Sequence, residues 1–241
     1  MKLVTGYKSD RGNTRKVNQD AVVLKQISYR GKSFIILAVC DGIGGLEHGE
    51  VASALAVRRI EEWFDEVAGW LDIIETDGEL VYSHLKDLAE ECNELVRECR
   101  VTMQMETGST MSLLMVLRDT YYIIQVGDSR VYRYRGRVLE QLTEDASVSR
   151  MKNGRMKQYL DNYLGKQDTL WFTENTGRLQ EGDILLVCSD GLYHHLSVED
   201  IRELEKEMRN RRKTCIVCAE LIKRVMQRGE RDNITVGIVA G

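Results

Sequence analysis

Four aspartates sit at a repeated place in the chain. Asp41 ends the run Phe34-Ile-Ile-Leu-Ala-Val-Cys-Asp and is followed by Gly42, Gly44 and Gly45 around Ile43. Asp128 closes Tyr121-Tyr-Ile-Ile-Gln-Val-Gly-Asp, and Asp190 closes Asp183-Ile-Leu-Leu-Val-Cys-Ser-Asp. Asp232 stands just before Ile234-Thr-Val-Gly-Ile-Val239. Each apolar run has the length and continuity of a buried strand, so each carboxylate stands at a strand end. Burying an unpaired carboxylate is very costly, and each aspartate taken alone is most simply exposed or paired with a cation. The repetition points instead to convergence on a metal site. Carboxylate oxygens select hard divalent ions, chiefly Mg²⁺ or Mn²⁺. Two such ions about 3.5–4 Å apart share a water and bring its pKa toward neutrality, which is the chemistry of phosphate-ester hydrolysis. Arg15, five residues before Asp20 on a glycine-containing loop, offers a guanidinium fork that matches two phosphate oxygens.

The elements that must position these groups follow from the pattern of apolar residues. Short strands are expected at 2–8 and 20–27, then at 34–40. From Glu50 the period becomes helical, with Val51, Leu55, Ile60, Trp63, Phe64, Val67 and Leu71 on one face and Glu47 and Glu50 near the start. Asp77-Gly78 breaks the pattern before a second helix marked by Val81, Leu85, Leu88, Cys92, Leu95 and Cys99. That seam is short for a dimerising coiled coil and is expected to pack on the protein's own core. Strands at 110–117, 121–127, 130–135 and 138–142 read as an antiparallel meander. Residues 143–167 are polar and read as a short flap over the strand ends. Further strands are expected at about 168–175 and 184–189, helices near 197–209 and 213–228, and a last strand at 234–239. Many strands with two inserted helical pairs favour antiparallel sheets with helices on the outer faces.

Composition bounds the class. The 241 residues are 43% hydrophobic and 30% charged, as in a soluble globular protein of one domain. Lys+Arg of 34 against Asp+Glu of 38 gives a net charge of −4, which does not suit a general nucleic-acid binder. No apolar run reaches the roughly 20 residues of a membrane span, and the first residues lack the apolar core of a secretory signal. Cytoplasmic location with no membrane partner is therefore expected, with Cys40, Cys92, Cys99, Cys188, Cys215 and Cys218 reduced. Cys215-Ile-Val-Cys218 has metal-like spacing but no second pair. The basic run Arg209-Asn-Arg-Arg-Lys213 reads as a solvated helix end. The chain contains no proline, a feature with no functional account.

Taken in order, Arg15-Lys-Val-Asn-Gln-Asp-Ala21, Asp41-Gly-Ile-Gly-Gly45 with Gly49-Glu-Val-Ala-Ser53, Gly108-Ser-Thr110, Val126-Gly-Asp-Ser-Arg130, Leu142-Thr143, Cys188-Ser-Asp-Gly-Leu192 and Asp232-Asn-Ile-Thr-Val236 carry a resemblance over nearly the whole chain. The sequence resembles the metal-dependent type 2C (PPM) protein serine/threonine phosphatases in their compact bacterial form. The resemblance implies an α+β fold in which two antiparallel β-sheets form a central sandwich flanked by α-helices in four layers. It implies one phosphatase domain over 1–241, with the flap at about 143–167. It also implies two Mn²⁺ or Mg²⁺ ions and a weaker third. By position, Asp41 bridges two ions, the Gly42 carbonyl binds one, and Asp190 and Asp232 complete the other's shell. Asp128 with Asp190 matches the third site, Asp20 holds metal-bound water, and Arg15 grips the substrate phosphate. Asn233 and Thr110 are expected to support the scaffold.

Three departures bear on activity: Gln19 where many members have an acid, Ile43 where animal members have a histidine, and Ala146 where a histidine is common. His48 is read as an exposed loop residue and, less readily, as a substitute proton donor. His194 and His195 are read as structural, and Cys40 and Cys188 as buried core thiols beside the metal aspartates. The expected function is hydrolysis of phosphoserine and phosphothreonine on proteins by a metal-bridged water or hydroxide. The expected substrates are phosphoproteins, with a serine/threonine kinase opposing the enzyme, no nucleic-acid partner and a monomeric state. The alternative is a catalytically weak regulatory module of the same fold that binds a phosphoprotein or kinase. A phosphotransferase using Asp41 as nucleophile is disfavoured, because such enzymes place a second carboxylate where Ile43 stands.

Overall fold

The computed structural model describes all residues except 1–2, 30, 44–47, 70–77, 153–154, 167–168 and 210–212. The central strand β3 (Lys32–Asp41) shows why the chain has a continuous apolar run there. Phe34, Ile36, Ala38 and Cys40 face a helical layer, while Ile35, Leu37 and Val39 face the opposite sheet. A strand covered on both faces has no polar side, so period-2 alternation disappears from its sequence.

Two five-stranded antiparallel sheets make the body. One has the order β10 (Thr173–Arg178), β5 (Thr120–Val126), β4 (Met111–Leu117), β3, β2 (Asp20–Tyr29). The other has the order β1 (Val4–Asp10), β12 (Ile234–Ala240), β11 (Ile184–Cys188), β6 (Arg130–Arg135), β7 (Val138–Gln141). Leu37 and Val39 of β3, Leu185 and Val187 of β11 and Val239 of β12 fill the space between them. Gly237 of β12 is required there, since a Cβ would lie 2.4 Å from Leu37 Cδ1.

The helices α1 (Gly49–Val67) and α2 (Gly78–Met103) cover the first sheet through Ile60, Phe64, Leu85 and Leu88. Beyond the one-turn α3 (Asp190–Tyr193), α4 (Val198–Arg209) and α5 (Thr214–Gln227) cover the second through Ile201, Leu204, Leu221 and Val225. The order helix, sheet, sheet, helix is the four-layer α+β sandwich expected. Among the described residues, no helix is long and apolar enough to cross a membrane.

Several boundaries differ from expectation. In α1 the fully buried face also takes in Ala52, Ser53 and Ala56, while Val51, Leu55 and Val67 are half-buried. Small residues let the helix approach the sheet closely, and they carry little hydrophobic signal. Leu71, Glu47 and the Asp77 half of the expected break lie outside the described residues, as do 210–212 of the basic run. The α2 seam drifts from its heptad, burying Val96 while Leu95 and Cys99 are half-buried, because a straight helix turns every 3.6 residues. It packs on α1 and the first sheet. β10 begins at Thr173, later than expected. Leu170 and Phe172 pack into the core ahead of it, and the polar strand Thr173–Arg178 pairs at the sheet edge.

The flap is the largest difference. It contains an antiparallel pair, β8 (Ser147–Lys152) and β9 (Arg155–Leu160), which forms a separate two-stranded sheet. Leu164, just beyond β9, exchanges backbone hydrogen bonds with Ser109 at 2.8 and 3.2 Å. Asn93 Oδ1 of α2 accepts from Gly165 N at 2.8 Å. The far side of the excursion is thus tied to the segment beside Asp41.

Candidate metal centre

Asp20 and Asp41 are directly opposite across the β2–β3 ladder and share a face. Like charges in that position repel, and here water does little to screen them. Asp20 is 8% exposed. Its Oδ2 accepts from Ser189 Oγ at 2.8 Å, whereas its Oδ1 is buried with no hydrogen-bond partner. Burial, opposed by hydrogen bonds from Thr235 and Ser189, pushes the Asp20 carboxyl up to about 7. Asp41 is held well above the usual carboxylate range, by burial first and then by the charges of Asp20, Asp190, Asp128 and Asp232.

The other carboxylates arrive from loops at the same end of the sandwich. Asp190 is the first residue of α3, one residue beyond β11, and burial and then Asp232 raise its pKa. Asp128 follows Gly127, whose φ of 106° favours glycine and whose Cβ would lie 2.7 Å from Thr110 Cβ. Burial and then Asp190 push Asp128 to about 6. Asp232 precedes β12 and is fixed by its own neighbours. Its Oδ1 accepts from Asn233 N at 2.8 Å, and its N–H donates to Glu230 Oε1 at 2.8 Å.

Arg15, Asp41, Gly42, Ile43, Thr110, Asp128, Leu160, Asp190 and Asp232 line one cavity of about 140 Å³. Arg15 Nη2 donates to Asp232 Oδ2 at 2.6 Å, with its side chain 40% exposed. The sequence reading assigned this guanidinium to a phosphate, and it is a carboxylate that holds it here. Gly42 admits no side chain, since a Cβ would lie 2.3 Å from the Gly49 carbonyl oxygen. Its N–H donates to Gln19 O at 3.0 Å, joining the glycine loop to the segment before Asp20.

Thr110 and Asn233 do what the scaffold reading expects. Thr110 Oγ1 accepts from Asp41 N at 3.0 Å, and Thr110 N donates to Asp41 O at 2.8 Å. Asn233 Oδ1 accepts from Gln19 N, and its Nδ2 donates to Arg11 O and Val17 O, which pins the loop carrying Arg15. Gln19 Nε2 donates to Glu50 Oε2 at 3.1 Å. His48 has a side chain 47% exposed near Glu50 and does not line the cavity. His194 and His195 face Glu230, at 3.9 and 3.6 Å. Cys40 and Cys188 are fully buried, and burial pushes both thiols up. Cys215 is exposed, whereas Cys218 is buried with its thiol on the Gly6 carbonyl.

Several supporting residues lay outside the sequence reading. Ser189 joins Asp20 to β12 by accepting from Thr235 N at 2.9 Å. Glu230 accepts from the backbone N–H of both Arg231 and Asp232. Arg130 lies 3.7 Å over the Tyr193 ring and pairs with Asp145, so α3 is packed against the strand that follows Asp128. Leu160 brings the flap to the cavity wall.

The donor set fits a hard divalent cation. Five carboxylates converge, one of them with an orphaned buried oxygen, and among the described residues Arg15 is the cation that lines the cavity. Among the described residues, no three acidic, histidine or cysteine groups are placed closely enough to hold a metal ion by themselves. Mg²⁺ or Mn²⁺ keeps several of its waters, so carboxylates can hold it without all of them touching it directly.

The protein phosphatase 2C family matches the chain over residues 11–233. The chain belongs to that family. The serine/threonine phosphatase Stp of Listeria monocytogenes is 29% identical over 247 residues, covering 97% of this chain and 94% of its own. The protein phosphatase PhpP of Streptococcus pneumoniae is 28% identical over 250 residues, covering 96% and 95%. Among solved structures, the catalytic domain of the serine/threonine protein phosphatase PstP in complex with two manganese ions superposes with a TM-score of 0.74. It is 26% identical and covers 99% of this chain and 97% of that one.

Proposed function

We propose that this site hydrolyses phosphoserine and phosphothreonine on proteins, the activity of its family, with Asp41, the Gly42 carbonyl, Asp190 and Asp232 holding two Mn²⁺ or Mg²⁺ ions, Asp20 holding their water, and Asp128 with Asp190 a weaker third. The observation that carries the assignment is the directly opposed pair Asp20 and Asp41, one with an unpartnered buried oxygen. Divalent ions there supply charge neutralisation for phosphoryl oxygens and lower the pKa of water toward neutrality. The chain's own groups do the rest. Arg15 leaves Asp232 to take two oxygens of the phosphate in a bidentate grip, which orients phosphorus for in-line attack. Ile43 and Leu160 form apolar wall and carry no proton. As water adds to phosphorus and the ester P–O bond breaks, the leaving seryl or threonyl oxygen therefore takes its proton from water in the cleft.

The carboxylates, the fold and the relatives all favour this reading over a catalytically weak regulatory module. We place the whole of 1–241 in one phosphatase domain, monomeric and cytoplasmic, opposed by a serine/threonine kinase. The test is hydrolysis of p-nitrophenyl phosphate with Mn²⁺, with EDTA, and by Asp41→Asn and Asp190→Asn. The expected result is loss of at least about a hundredfold in kcat on chelation and in each variant. Activity surviving all three overturns the reading.

A further inference from the structure

Glu230 is a buried acid two residues before Asp232 that does not line the cavity. The chain comes to it from the end of α5 through Gly229, whose φ of 98° lets the backbone turn. Glu230 N donates to Val225 O at 3.3 Å, which seats the residue on the last turn of that helix. Its Oε1 then accepts from Arg231 N at 2.6 Å and from Asp232 N at 2.8 Å. Hydrogen bonds to a carboxylate are roughly twice as strong as neutral ones, so one side chain fixes the path of the backbone into Asp232. The other oxygen faces a second ligand-bearing segment. Glu230 Oε2 lies 3.9 Å from His194 Nδ1 and 3.6 Å from His195 Nε2. His194 caps α3, its N–H donating to Asp190 O at 3.1 Å, and His195 N donates to Leu192 O at 3.3 Å. One buried acid thus stands between the segments that carry Asp190 and Asp232. Burying it beside the five aspartates adds repulsion, so its presence points to a task that an apolar residue would not perform.

We propose that Glu230 is a positioning residue for the ion held by Asp190 and Asp232. By its reach rather than its charge, it sets the two ligand-bearing segments relative to each other and so sets the affinity of that ion. Ligands held in place beforehand lose less freedom on binding, and groups one step behind metal ligands typically change metal affinity by about 10–100-fold. This inference rests on the metal-site reading above.

The experiment measures Mn²⁺ binding to the full chain without substrate, by calorimetry and by the electron paramagnetic resonance signal of free Mn²⁺, in the wild type, Glu230→Gln and Glu230→Asp. Glutamine keeps the length and an oxygen for the two N–H groups and drops the charge. Aspartate keeps the charge and is one methylene shorter. Glu230→Asp is expected to weaken one of two ions by at least about tenfold and leave the other within about threefold, whereas Glu230→Gln binds both within about threefold of the wild type. The Mn²⁺ concentration for half-maximal turnover of p-nitrophenyl phosphate should rise with the weakened ion. Wild-type affinity in Glu230→Asp overturns the proposal, as does a loss in Glu230→Gln as large as in Glu230→Asp, which would assign the effect to charge. Equal weakening of both ions also overturns it, because a merely structural glutamate would not single one out. Should Glu230→Asp not fold, His194→Ala/His195→Ala decides, by weakening the same ion or by binding as the wild type does. A wild type that binds no Mn²⁺ at millimolar concentration sinks the metal-site reading itself, and this proposal with it.

Discussion

At the scale of residues, the site is organised by an electrostatic conflict. Asp20 and Asp41 oppose each other at adjacent strand ends, and the protein supplies Ser189, Thr110 and Arg15 around the cluster without neutralising it. Without divalent ions the ionised pair destabilises the fold. Asp20→Asn is therefore expected to stabilise the metal-free protein at pH 8, on the order of 2–4 kcal/mol, because a carboxyl raised from 3.8 to about 7 is ionised there at a cost. With Mn²⁺ present the same substitution should weaken ion binding and lower activity. Thermal denaturation in EDTA and in Mn²⁺ reads both arms; destabilisation in EDTA would count against the conflict. Asp41, Asp128, Asp190 and Asp232 were legible because each ends or precedes an apolar run. Ser189, Glu230 and Leu160 were not. A serine bonded to a residue 169 positions away leaves no local pattern, and a glutamate that binds backbone N–H groups looks like any surface glutamate.

At the scale of elements, the close approach of two segments fixes the metal loop. Gly42 and Gly49 lie nearly in contact, so Gly42→Ala must push apart the start of α1 and the segment before Asp20. The expected cost is about 2–4 kcal/mol of stability, with activity falling more than tenfold, because overpacking against backbone cannot be relieved by a rotamer change. Chemical denaturation and p-nitrophenyl phosphate turnover measure the two effects; unchanged values in both would show that the loop yields freely. The strands β3, β4, β11 and β12 were readable in sequence because both their faces are buried. The flap hairpin was not, since a two-stranded ribbon buries little and shows no continuous run. Its one strong local signal is Asn153-Gly154 between Lys152 and Arg155, the dipeptide that suits a tight hairpin turn. The displaced start of β10 has a similar origin: Leu170 and Phe172 mark burial, while pairing falls to polar residues at the edge.

At the scale of the whole molecule, two groups of carboxylates respond to pH with opposite sign. Near the beginning of α4, Asp200 is buried and accepts from Arg228 at 2.5 and 2.7 Å and from Ser197. Burial alone would raise its pKa, but the hydrogen bonds to Arg228 and Ser197 hold it below the usual value. Its contribution is present above the ordinary carboxylate pKa and is lost as pH falls through the depressed one. The metal cluster does the reverse. Asp20 and Asp128, raised from 3.8 to about 7 and about 6, bind more protons folded than unfolded across that interval, so stability falls as pH rises through it. The metal-free protein should thus be most stable near the ordinary carboxylate range and weaken toward neutral pH. Saturating Mn²⁺ holds the cluster ionised and removes the neutral-side loss, moving the maximum upward. Arg228→Ala should cost about 1–3 kcal/mol at every pH above 5 and flatten the acid limb, by leaving a buried carboxylate with only Ser197 and the more distant Arg224. Denaturation profiles from pH 3 to 8 in EDTA and in Mn²⁺ test this, and profiles that superimpose in the two conditions would mean the aspartates at the strand ends do not share an ion.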